Sequence, residues 1–219
     1  MNKQGVLWDM DGVLVDTGEF HYQSWQEALE ERGLRFSREF FRQTFGMNNA
    51  GILARLLGED LTDKLLIEIS EQKEERFREL IRGQAQALPG VVTWLARLRE
   101  AGFRQGIASS APLANIDALI DELGLRGYFD VIGSGADLPA KPDPALFLEV
   151  ARRLDVQPTC CIVVEDSVAG VEAAKRAGMH CIAVTTTNPA EALATADLVI
   201  ESLDDLPADT FENLLAAKP

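Results

Sequence analysis

The stretch "LWDMDGVLVD", residues 7–16, places two carboxylates, Asp9 and Asp11, in a run that is otherwise apolar as far as Asp16. In a strand, residues two apart project to the same side, so a strand continuing through both acids presents them together. A solvated edge would tolerate the pair, but these flanks are apolar. Gly12 follows at once and permits backbone geometry that other residues resist. In an open parallel sheet, ligands bind beyond the carboxyl ends of the strands, where this pair falls. Two like charges withdrawn from water repel and raise each other's pKa, so a positive partner is required. Magnesium fits, because it takes oxygen ligands and commonly one or two carboxylates with waters and substrate phosphate.

A second acidic pair has the same setting. "CCIVVEDSVAG", residues 160–170, reads as an apolar strand ending in Glu165 and Asp166, followed by Ser167 and a helix. Asp166 or Ser167 as a simple helix cap is one reading; two acidic strand ends sharing one cation between Asp9 and Asp166 is the other. Phosphate-binding candidates lie between the two stretches. "QGIASSAP" ends a strand with Ser109 and Ser110, whose hydroxyl and N–H groups face the same edge at a helix start that favours anions. "AKPDPALF" sets Lys141 in a turn fenced by Pro142 and Pro144, held more firmly than most surface lysines, with a solvated turn lysine as the other reading.

Working outward, apolar runs at Gly5–Trp8, Gln105–Ala108, Val131–Ile132, Cys160–Val164, Cys181–Val184 and Leu198–Ile200 alternate with segments of helical periodicity. That alternation predicts an α/β fold, a parallel sheet with crossover helices on its faces. Gly102, Gly124 and Gly178 close predicted helices, and Asp143-Pro144 reads as an N-cap with proline at the first helical position. From about Gly18 to Arg82 the pattern is helical with no convincing strand. We therefore expect a Rossmann-like core from residues 1–16 and 85–219, and an inserted all-helical lid from residues 17–84.

Composition narrows the function. With 219 residues, 47% hydrophobic and 26% charged, the chain can bury a sizeable core, and a net charge of −14 argues against nucleic acid or an acidic membrane surface as partner. Cys160, Cys161 and Cys181 lack metal-site spacing and read as small core residues. No apolar stretch has the length of a membrane span or the pattern of a signal peptide, so a cytoplasmic protein is expected. No helix face demands a dimer, and a monomer is expected.

Together, "DMDGVLVD", "ASS", "AKPDP" and "VVEDSVAG" resemble the haloacid dehalogenase superfamily, specifically its β-phosphoglucomutase-like phosphatase branch. The resemblance spans nearly the whole chain. It implies that Asp9 is the nucleophile, becoming an aspartyl phosphate, and that Asp11 is the general acid/base. It implies magnesium held by Asp9, the Asp11 carbonyl and Asp166, with Glu165 as a further ligand or a partner behind them. It gives Ser109 and Lys141 the task of binding the transferring phosphoryl group. The family's dehalogenases carry no acid at the Asp11 position, which argues against carbon–halogen cleavage.

The same resemblance directs attention to the lid for substrate choice. "DTGEFHYQSW" places Thr17, His21 and Trp25 near the hinge, although His21 and Trp25 at i,i+4 also suit ordinary packing. Where the mutases have a cap-loop arginine after Gly-Val-Ser, this chain has Gly46-Met47-Asn48-Asn49, and their Ser-Lys-Asn is replaced by Ala111-Pro112-Leu113. A second phosphate would lose its cationic clamp, since asparagine supplies hydrogen bonds without charge. Asn48 and Asn49 suit sugar hydroxyls or a helix cap, and Lys73 suits the site or a solvated helix face. The expected activity is hydrolysis of a small phosphorylated metabolite, a sugar or polyol monophosphate. A phosphosugar mutase and a non-catalytic phospholigand-binding protein stand as alternatives.

Overall fold

Period-two alternation sorts the sheet's side chains onto two faces, and a helical layer covers each. The computed structural model describes residues 3–216. Strands β1 (Gly5–Trp8), β2 (Arg104–Ser109), β3 (Val131–Ser134), β4 (Cys161–Glu165), β5 (His180–Val184) and β6 (Leu198–Ile200) form one sheet in the order β3-β2-β1-β4-β5-β6. Every pairing is parallel.

Val6, Trp8, Ile107, Ile162, Val164 and Ile182 face one side. There they pack against α5 (Val91–Glu100), α6 (Leu113–Glu122) and α9 (Thr210–Ala216). Leu7, Val163, Cys161, Cys181 and Ala183 face the other, beneath α7 (Ala145–Leu154) and α8 (Val168–Arg176). Burial of both faces explains why the central strands read as continuous apolar runs. Trp8 and Gln105 place polar atoms in this interior, and each is satisfied: Trp8 Nε1 donates to Gln105 Oε1 at 3.1 Å, and Gln105 Nε2 to the Leu95 carbonyl at 2.9 Å.

Between β1 and α5 the chain folds into α1 (Gly18–Glu30), α2 (Arg38–Thr44), α3 (Asn49–Leu57) and α4 (Asp63–Ile81). These helices own a third apolar cluster, centred on Trp25, Leu29, Phe36, Leu53 and Ile69. The two chain segments joining this helical subdomain to the sheet run side by side. Leu88 N–H donates to the Leu14 carbonyl at 3.0 Å, and Val15 bridges both Asp11 and Ala87.

Three expectations shift locally. β1 ends at Trp8 rather than running through both acids; Leu14 and Val15 donate back to the Met10 carbonyl, so Asp11 sits in a turn. β4 begins at Cys161, because Pro158–Cys160 form a 3-10 turn. Pro144 occupies the cap position of α7 rather than its first turn, while Asp143 still accepts from Ala145 N–H at 2.9 Å. Gly102, Gly124 and Gly178 all adopt positive φ after helix ends, as expected. Cys161 and Cys181 are core residues; burial, with Cys160 alongside, pushes the Cys161 thiol up to about 12.

Candidate active site

β1 and β4 are neighbours at the centre of the sheet, and the chain leaves them in opposite directions, towards β2 and towards β5. That is the switch point of the topology, where a crevice opens beyond the carboxyl ends. Asp9 follows β1 immediately, its N–H still donating to the Val164 carbonyl at 3.0 Å. Glu165 closes β4 and Asp166 follows it. Oxygens of Asp9, Glu165 and Asp166 all lie within 4.8 Å of one another, and all three residues are buried.

Two glycines make this density of carboxylates possible. Gly12 has φ +85°, and a Cβ there would overlap the Asp166 carboxylate. A Cβ on Gly170 in α8 would overlap the carboxylate of Glu165.

Lys141 enters from the β3–α7 connection. Its Nζ lies 2.6 Å from Asp9 Oδ1 and 2.6 Å from Glu165 Oε1, with the Ala108 carbonyl at 3.5 Å. Burial alone would lower its pKa, but the two carboxylates outweigh that and raise it. The other Glu165 oxygen accepts from the N–H groups of Asp166 and Ser167 and from Ser167 Oγ, at 2.7–2.9 Å. Glu165 is therefore fully engaged in holding Lys141 and the start of α8.

One ammonium faces three buried acids. Burial pushes Asp9 up to about 7, with Glu165 and Asp11 adding to the rise and Lys141 opposing it. Asp166 is raised well above the usual carboxylate range by burial and by the charges of Glu165 and Asp9. Among the described residues, Asp9 Oδ2 and Asp166 Oδ1 accept no hydrogen bond, while Thr187 Oγ1 donates to Asp166 Oδ2 at 2.6 Å. An all-oxygen donor set carrying surplus buried negative charge fits a hard divalent cation.

Asp11 faces a different set of partners. Its Oδ1 accepts from Thr17 Oγ1, at the start of α1, and contacts His21 Nε2 at 3.1 Å. Burial would raise its pKa, but His21, Thr17 and Lys73 outweigh that and hold it below the usual range. Lys73 Nζ lies 2.9 Å from His21 Nδ1 and 2.9 Å from Glu74 Oε1. An ammonium only donates, so Nδ1 accepts and the ring proton sits on Nε2, facing Asp11. Phe77 stacks on the imidazole, centroids 4.0 Å apart.

Asp11, His21, Lys73, Asn48, Asn49 and Ser110 line one cleft of about 50 Å³ between the helical subdomain and the sheet, with Trp25 among its apolar walls. Asn48 caps α3 by accepting from Gly51 N–H at 2.9 Å, and Asn49 donates to Glu74 at 2.7 Å. Ser109 is buried at the end of β2, its Oγ accepting from Ala111 N–H at 3.1 Å. Lys141, Ser167 and Thr187 border a wider cleft of about 600 Å³. Phe41, Phe45 and Met47 form a wall common to both clefts.

Sequence reasoning missed Glu74, Asn115, Ser167 as the partner of Glu165, and Thr187. Thr187 follows β5, so the rule about carboxyl ends of strands could have found it. Glu74 lies on a helix among polar neighbours, and Asn115 is a single polar residue between Ala114 and Ile116; neither carried a signal.

Fold and site define a hydrolase of the phosphatase type, acting on a small phosphorylated molecule through a cluster of aspartates at a Rossmann-like switch point. The profile of the haloacid dehalogenase-like hydrolases matches residues 3–178, and the chain belongs to that family. It is 31% identical over 211 residues to β-phosphoglucomutase of Bacillus subtilis, covering 93% of this chain and 91% of that one. It is 32% identical over 203 residues to a phosphorylated carbohydrates phosphatase of Thermotoga maritima, covering 90% and 92%. The structure superposes with a TM-score of 0.85 on CbbY from Rhodobacter sphaeroides in complex with xylulose-(1,5)bisphosphate, at 30% identity, covering 93% and 96% of the two chains.

Proposed function

We propose that this chain hydrolyses a sugar or polyol monophosphate through an aspartyl-phosphate intermediate on Asp9, with magnesium as its metal. The observation that carries the reading is the division of labour between the two acids. Asp9 lies against a buried ammonium and the metal-competent cluster, whereas Asp11 is held by Thr17 and His21 of α1. Asp9 and Asp166 would hold the ion, with the Asp11 carbonyl that the family resemblance implies. Bound there, it neutralises charge on the carboxylates and phosphoryl oxygens.

Asp9 attacks phosphorus as the bond to the leaving oxygen breaks, and Asp11, ionised in the free site, delivers to that oxygen a proton it has taken from the bound ester monoanion. Because Asp11 Oδ1 takes both hydrogen bonds, Oδ2 is left for proton exchange. Asp11, now a carboxylate, takes a proton from water as the water oxygen attacks phosphorus, releasing inorganic phosphate and restoring Asp9. Lys141 offsets the charge on Asp9 and, with Ser109, holds the phosphoryl oxygens. Residues 17–84 act as the lid that excludes water and presents Asn48, Asn49, His21 and Lys73 to the leaving group.

The mutase reading draws on the β-phosphoglucomutase relative and differs only in the acceptor, a sugar hydroxyl instead of water. Phosphate release from β-glucose 1-phosphate, read beside a coupled assay for glucose 6-phosphate, separates the two. Free phosphate without the isomer supports hydrolysis; the isomer without phosphate overturns it. Stoichiometric ligand binding without turnover at any magnesium concentration would favour a non-catalytic protein. Activity that survives excess EDTA would remove the metal. The net charge of −14 supports a partner other than nucleic acid. No helix among the described residues is long and apolar enough to cross a membrane, which supports the expectation of a cytoplasmic protein. The monomer expectation is tested by light scattering.

A further inference from the structure

The leaving-group cleft contains a buried carboxylate that the catalytic scheme does not use. Glu74 follows Lys73 on α4, and the two side chains are only 6% and 3% exposed. Glu74 Oε1 accepts from Lys73 Nζ at 2.9 Å and from Asn49 Nδ2 at 2.7 Å, and its other oxygen accepts from Asn115 Nδ2 on α6. Asn115 is oriented in turn by Arg78, whose Nη1 donates to Asn115 Oδ1 at 2.8 Å. Burial would raise the Glu74 pKa, but the adjacent Lys73 ammonium, with the Asn49 hydrogen bond, outweighs it and holds it below the usual range, so the group is ionised.

Lys73 is the one cation among the lysines and arginines lining this cleft, and its ammonium is already divided between Glu74 and His21. The Trp25 and Phe77 rings lie 5.3 Å from Nζ, so little water screens the pair. Against Lys73 stand two carboxylates, Glu74 and Asp11. When Asp11 carries its proton as the acid, the lining is neutral; when it does not, the lining is negative. In neither state does the lining of this cleft offer a free positive charge; Arg42 lies on the wider cleft, beyond the wall of Phe41, Phe45 and Met47.

We infer that Glu74 is a specificity-determining residue: by neutralising Lys73 it restricts the enzyme to phosphate esters whose leaving group is uncharged, and rejects those carrying a carboxylate or a second phosphate. Asn49, Asn115 and Arg78 position it for that task. The inference rests on the phosphatase reading and adds to it the charge class of the substrate.

The test compares two molecules of similar size that differ in that charge, sn-glycerol 3-phosphate and 3-phosphoglycerate. Each is used as a competitor of p-nitrophenyl phosphate hydrolysis by the magnesium-loaded enzyme. The wild type binds the glycerol ester more tightly by about tenfold or more, and in Glu74→Gln, which keeps the shape and frees the lysine charge, that preference falls by about tenfold or more. A role in folding alone would weaken both competitors together and leave their ratio unchanged. A wild type that hydrolyses the reporter but binds the two competitors equally overturns the inference, and does so even where Glu74→Gln fails to fold. A folded Glu74→Gln with the wild-type ratio overturns it as well. If the wild type hydrolyses no phosphate ester, the phosphatase reading itself falls.

Discussion

Replacing Lys141 by methionine tests the electrostatic centre of the site most directly. The lysine side chain is 4% exposed, and those of Asp9 and Glu165 are 9% and 1%. At 2.6 Å and an effective dielectric constant near 20, each ion pair amounts to a gross attraction of about 6 kcal/mol. Much of that is cancelled by the cost of removing three charges from water, so the net loss expected is about 3–5 kcal/mol. The pH dependence identifies the cause. Asp9 is already pushed up to about 7 by burial, with Lys141 opposing the rise, so loss of the lysine raises it further. An acid whose folded pKa exceeds its unfolded value stabilises the fold below the unfolded pKa, and that contribution is lost as pH rises through the folded one. The deficit of Lys141→Met in urea unfolding, measured in chelator, is therefore smaller at pH 5, where the Glu165 pair is lost but Asp9 adds nothing, and largest near pH 8. Turnover falls by about 10²- to 10³-fold. A deficit equal at both pH values, or none, would refute the charge-pairing argument.

Asp9→Asn lowers turnover by on the order of 10⁴-fold or more, since the nucleophile is gone. In chelator at pH 8 the same variant unfolds at a urea midpoint no lower than the wild type, because one of three crowded carboxylates has been removed; a clear drop would contradict the crowding described here. Gly170→Ala would ordinarily stabilise a helix by about 0.5–1 kcal/mol. Here the added methyl overlaps the Glu165 carboxylate, so unfolding experiments show a loss of about 1–3 kcal/mol, and a more stable variant would show that the contact yields freely.

The parallel sheet was legible because β-branched runs and helical periodicities alternate cleanly, and because glycines mark three helix ends. The acidic cluster was legible for a related reason: Asp9 and Glu165-Asp166 each end an apolar run, and topology then brings those ends together. Asp11 was placed on the correct edge for an incomplete reason. Periodicity predicts a strand through it, whereas Gly12 at φ +85° and the bonds back to Met10 make a turn. α4 was harder to read. Its sequence, "DKLLIEISEQKEERFRELI", looks like a solvated helix, and only the approach of α1, α3 and α6 buries Lys73 and Glu74. Local patterning reports which face of an element is apolar. It does not report which polar residue another element will cover.

The separate apolar cluster of the four inserted helices has an evolutionary consequence. Asp9, Lys141, Glu165 and Asp166 rest on the packing of the sheet, whereas Asn49, Lys73 and Glu74 rest on a cluster of their own. Substitutions within that third cluster leave the packing around Asp9, Lys141, Glu165 and Asp166 undisturbed. Phe77 and Ile81 of α4, however, belong to the sheet's own cluster, and Thr17 and His21 hold Asp11. Descendants of such a chain can therefore drift towards new metabolites with an unaltered reaction centre only where those residues are kept.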